Sequence, residues 1–146
     1  MVKLQYILDA LNTFFMNESY LPELAALDVI ASTNPWDEPR DTPWMTYFWR
    51  GGIVVKDTTI TADLDIMIIH SAESEEGPMN RLTAVVETII DALFKADNKG
   101  INAVDADGKP IKIGEIRPLS FRLTPEATET GWTHVAVIQC QFRYVR

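Results

Sequence analysis

The chain has 146 residues, 47% of them hydrophobic and 23% charged, and a formal net charge of −8. A chain of this length and composition is expected to bury about two thirds of its unfolded surface around one core, as a single domain over residues 1–146, and it is not that of a disordered segment. The acidic balance argues against electrostatic capture of nucleic acid, and the lone Cys140 rules out an intrachain disulfide or a cysteine metal cluster.

The first segment, MVKLQYILDALNTFF, places Leu4, Ile7, Leu8, Leu11, Phe14 and Phe15 at helical spacing, so a helix with one apolar face is expected. Asp9 and Asn12 interrupt it, unlike a signal peptide, and no apolar run nears the roughly 20 residues of a membrane span. A soluble product of a reducing, cytoplasmic compartment fits. A turn, a short helix from Pro22 and a β-prone DVIAS at 28–32 follow. Residues 34–43, NPWDEPRDTP, form a loop stiffened by its prolines, each of which pushes its predecessor toward extended geometry.

From Trp44 to His70 the pattern turns to β, with two or three antiparallel strands and a bend or turn at Gly51 and Gly52. After the acidic SAESEEGPMN, residues 79–96 put Leu82, Val85, Val86, Ile89, Ile90 and Leu93 on one helical face, with Asn80 as N-cap and Gly100 as stop. Residues 101–116 read as a hairpin turning near Asp107 and Gly108, continued by RPLSFRL. In the final long strand Trp132, His134, Ala136, Ile138, Cys140, Phe142 and Tyr144 share a face. The order predicts an α+β domain: an antiparallel sheet of four to six strands with two main helices on one of its faces.

Candidate chemistry is sparse. Asp63, Asp65 and His70 with Glu73, Glu75 and Glu76 could hold a divalent metal, but Asp63 and Asp65 sit on the polar side of an alternating strand, where solvated residues belong anyway. DADGKP departs from a calcium loop, since Gly108 stands fourth from Asp105 and not sixth. Cys140 and His134 lie six residues apart on one strand, roughly 20 Å and too far for a nucleophilic pair, so a buried, inert thiol is the expectation. No glycine-rich phosphate loop is present. Neither a cofactor, nor a metal, nor a catalytic residue is expected. An α+β enzyme or small-ligand site assembled from residues distant in sequence stays open as an alternative.

Residues 1–108 carry a net −11 and residues 109–146 a net +3, a polarity that either suits head-to-tail contacts between copies or records only where the arginines fall. Trp44 is expected in the core; Trp36 either packs there too or anchors a contact with a partner, as tryptophan does at hot spots.

The N-terminal helix, the acidic loop ending in TPW before a strand, the meander, the helix RLTAVVETIIDALF, the hairpin and a last strand of the THVAVIQCQFRY kind together resemble the tail terminator, or tail completion, proteins of tailed bacteriophages. The similarity is one of pattern and order over nearly the whole chain. It implies a non-enzymatic virion protein of the tail neck, assembled in the host cytoplasm. Such proteins form a hexameric ring that caps the tail tube, stops tube polymerisation and joins the tail to the head connector. The implied partners are other copies of the chain, the tube protein and a connector or neck protein, with DNA passing transiently and no membrane. Another neck, tube or baseplate component is the alternative within that class. On this reading the expected subunit or partner interface is Trp36 with a polar rim of Asp37, Glu38, Arg40 and Asp41, the acidic Glu73, Glu75 and Glu76, and the basic Arg117, Arg122, Arg143 and Arg146.

Overall fold

The computed structural model describes residues 4–17, 21–33, 43–56, 59–72, 76–95, 103–104, 107–111, 113–128 and 131–145. The elements run α1 (Leu4–Phe15), α2 (Pro22–Ala26), β1 (Ile30–Ala31), β2 (Trp44–Lys56), β3 (Thr59–Ala72), α3 (Glu76–Lys95), β4 (Ala103–Val104), β5 (Pro110–Ile111), β6 (Ile113–Thr128) and β7 (Gly131–Val145). The main sheet has the order β1-β2-β3-β7-β6, and β4 and β5 form a separate hairpin. The fold is α+β, as the pattern of elements predicts.

One face of the sheet is a helix-covered core. Leu64, Ile66 and Ile68 of β3, Ala136, Ile138 and Phe142 of β7, and Met45 and Tyr47 of β2 are buried there with Ile7, Leu11 and Phe15 of α1 and Leu82, Val85 and Ile89 of α3. Each such large aliphatic contributes about 1.5–3 kcal/mol by leaving water. The α1 helix is tied to β2 in particular. The Phe15 and Tyr47 rings stack with centroids 6.4 Å apart, and the Tyr47 hydroxyl donates to Asn12 Oδ1 at 3.2 Å. Burial pushes the Tyr47 phenol well above its ordinary pKa.

Local rules explain the joints. Pro22 opens α2, where a missing N–H costs nothing. The helix ends with the Asp28 N–H bonded to the Ala25 carbonyl at 3.0 Å and the Val29 N–H to the Leu24 carbonyl at 3.2 Å, with Asp28 at φ 58 in the left-handed position. Gly108 takes φ 78 between β4 and β5, placing that turn where the Asp-Gly pair predicts it.

Three expectations need correction. The sheet is not wholly antiparallel, because β1 pairs with the start of β2 in parallel, Ile30 opposite Trp44 and Ala31 opposite Met45. Asn80 is not an N-cap: α3 begins at Glu76, four residues earlier, since Gly77 and Pro78 fall in the first turn where proline is tolerated. Glu76 accordingly belongs to that helix and not to the acidic loop. Gly100, the expected stop, lies outside the described residues, as do residues 34–42.

Candidate assembly surface

The sheet's second face carries no described helix, and strand register fixes what it presents. Across β2, β3, β7 and β6 its rows read Trp44, Ile69, Val135, Thr124; then Thr46, Met67, Val137, Arg122; then Phe48, Asp65, Gln139, Ser120; then Gly51, Asp63, Gln141, Arg117. A last row adds Ile53, Thr61 and Arg143. One end of this face is therefore apolar and the other is polar and rich in guanidinium groups. Trp44 and Thr46 are buried at the apolar end, and Val137 nearly so, while Phe48 is exposed beside Asp65.

Two β-bulges arrange the charged end. β2 shifts register between Trp49 and Gly51, so Arg50 is an extra residue, and Gly51 supplies the φ of +129 that the distortion requires. Arg50 reaches Asp65, Nε to Oδ1 at 3.0 Å, an ion pair without a directed hydrogen bond. Partial burial raises the Asp65 pKa, against the opposing pull of Arg50 and Arg122, and Asp63 adds to the rise. On β6 the shift between Pro118 and Ser120 leaves Leu119 as the extra residue, and Ser120 Oγ donates to Gln139 Oε1 at 3.0 Å. Gly52 pairs opposite Ala62, so close that a Cβ would stand 2.5 Å from the Thr61 carbonyl oxygen and 2.8 Å from Ala62 Cα.

Over its whole length this fold has a solved counterpart. A chain from the virion of a native gene transfer agent particle superposes with a TM-score of 0.54 at 17% identity, covering 98% of this chain and 95% of that one. No protein-family model matches the sequence, and no curated protein matches it. At that identity the likeness is one of fold.

Of the residues singled out from sequence, Arg117, Arg122 and Arg143 are exposed on the one open face, Arg117 and Arg143 at its polar end and Arg122 in the row of Thr46, Met67 and Val137. Trp36, Asp37, Glu38, Arg40, Asp41, Glu73, Glu75 and Arg146 lie outside the described residues. The feet of the Trp36 loop are nonetheless fixed. The Ile30 N–H bonds the Pro43 carbonyl and the Ser32 N–H bonds the Met45 carbonyl, each at 3.0 Å, so the loop leaves and rejoins the sheet at its β1 edge. Among the described residues the suspected metal ligands are split, because strand alternation puts Asp63 and Asp65 on the open face and His70 on the core face. His70 instead stands opposite His134, both buried. Cys140 is buried and its thiol is pushed up to about 12 by burial, with Asp65 adding to the rise, which leaves it protonated and unreactive. A cleft of about 260 Å³ between α1, α2 and β1 is lined by Phe15, Met16, Leu21, Ala25, Asp28, Val29 and Ile30, with Asp28 its single ionisable side chain. Sequence reading missed Arg50, Phe48, Leu119 and Phe121 as surface features; the Gly51-Gly52 pair directly after Arg50 was the available sign of a bulge.

Proposed function

We propose that this chain is a structural protein of a phage-like virion and acts there as a tail terminator. In this role six copies form a ring that caps the tail tube, stops further subunit addition and joins the tail to the head connector. The observation that carries the reading is the nearly complete, two-way coverage by a chain of a gene transfer agent virion, a match of the whole domain and not of a shared motif. The order of elements, from the N-terminal helix to the long last strand, supports the terminator role within that class.

The surface fits a protein that works by contact. Arg117, Arg122 and Arg143 on the open face meet acidic side chains of a neighbouring copy. Trp36, in a proline-stiffened loop, anchors a second contact at little entropic cost, with Asp37, Glu38, Arg40 and Asp41 as its rim. Glu73, Glu75 and Glu76 add an acidic patch. The net charge of −8 lets DNA pass without holding it.

The test is a tube-capping assay. Adding the purified protein to polymerising tail tube subunits should arrest tubes with a ring at one end, and Trp36→Ala should weaken capping with little change in melting temperature. Tubes that elongate unaffected would refute the terminator role and turn attention to another neck, tube or baseplate component. A melting shift on adding magnesium, calcium or zinc would point instead to a ligand-binding protein.

A further inference from the structure

The edges of the sheet indicate how one copy joins the next. Five of the seven large apolar side chains exposed among the described residues lie on strands at its two sides: Ile30, Phe48 and Ile53 on β1 and β2, Leu119 and Phe121 on β6. At one side β1 covers only Trp44 and Met45, so β2 from Thr46 onward has no strand beside it among the described residues. At the other, β6 pairs with β7 alone. An edge that is both long and apolar is a template for another strand.

We propose that β6 of one copy pairs antiparallel with the uncovered part of β2 of the next, so that one sheet runs on through successive subunits. The inference rests on the ring reading above and specifies its joint. Strand direction favours it. β2, β3, β7 and β6 alternate in direction, and their number is even, so rotating one copy into the next brings β6 beside a β2 of opposite direction. Such a head-to-tail joint leaves no long edge open once the ring closes.

A twofold β6–β6 pairing fits less well. It would leave both β2 edges uncovered and would set Arg122 beside its symmetry mate. Pro118 and Pro125 lack the donor a new partner needs and confine the pairing on β6 to residues 119–124. The joint is mostly backbone and apolar contact, with Arg50 held by its own Asp65, so it persists at high salt.

The test is cross-linking with a short bis-maleimide, using Phe48→Cys, Ser120→Cys and the double variant, two exposed positions of one row on the open face; Cys140 stays in place because it is buried. The double variant should give a ladder of covalent oligomers ending at the ring, and a mixture of the single variants should give dimers only. Neither single variant should react alone. Phe121→Lys should abolish assembly with the melting temperature unchanged, since the side chain is exposed. Cross-linking of Ser120→Cys by itself would overturn the joint in favour of twofold pairing. Rings visible by microscopy but without cross-links would overturn the joint and spare the ring. Protein that forms no ring in solution or on tube ends would overturn both.

Discussion

The core face and the open face of the sheet are made by the same four long strands, yet they obey different constraints. On β3, Leu64, Ile66 and Ile68 are sealed under the helices, while their neighbours Asp63, Asp65 and Met67 are partly exposed on the other side. Covered positions must fill volume without unpaired polar groups. Open positions pay no such cost, which frees them to carry the bulges, charges and exposed rings through which a structural protein meets partners.

Substitutions can break this contrast. Leu64→Ala should cost about 3 kcal/mol in urea unfolding, because the side chain is fully buried and its cavity cannot collapse. Phe48→Ala, opposite the next residue on the open face, should cost well under half as much; equal losses would mean that the open face is packed in the monomer. Gly52→Ala should lose about 2 kcal/mol by the same measurement, since its Cβ collides with β3 backbone rather than with a movable side chain.

Alkaline pH sharpens the comparison from the core side. The Tyr47 phenol is raised above its ordinary range and the Cys140 thiol is pushed up to about 12, whereas in the unfolded chain they ionise near their usual values of about 10 and 8.5. Their contribution is thus complete below the unfolded values and lost as pH rises toward the folded ones. Stability should fall above about pH 8.5, by roughly 1.4 kcal/mol per pH unit for each group. Tyr47→Phe should remove the steeper part of that fall and cost about 1 kcal/mol at neutral pH through the lost Asn12 bond; an unchanged alkaline profile would place the phenol in solvent.

The smallest effect belongs to the open face. The raised Asp65 pKa means that burial opposes its ionised form more than Arg50 and Arg122 favour it, so its stabilising contribution lies at low pH and is lost as pH rises through the folded value. Asp65→Asn should leave stability at pH 7 within about 0.5 kcal/mol of the parent. A large loss on chemical denaturation would make the ion pair structural.

The two helices and the last strand were legible from sequence because their apolar periods are unbroken: α3 buries Leu82, Val85, Val86, Ile89 and Leu93, and β7 buries His134, Ala136, Ile138, Cys140 and Phe142. Pairing was less legible. Nothing local in Ile30 and Ala31 says that they run parallel to a strand that begins at Trp44. The candidate surface was half readable. Charge alone singled out Arg117, Arg122 and Arg143, but plain alternation puts 117 and 122 on opposite faces, and only the bulge at Leu119 reunites them. That depends on the pairing of two strands, which no single-strand pattern contains.

The most direct test of the central claim, that the open side of this domain exists for assembly, is negative-stain microscopy with light scattering on one concentrated sample, repeated with tail tubes present. The account predicts closed rings with a central hole, free or seated on tube ends. A protein that scatters as a monomer and leaves every tube end bare would contradict it.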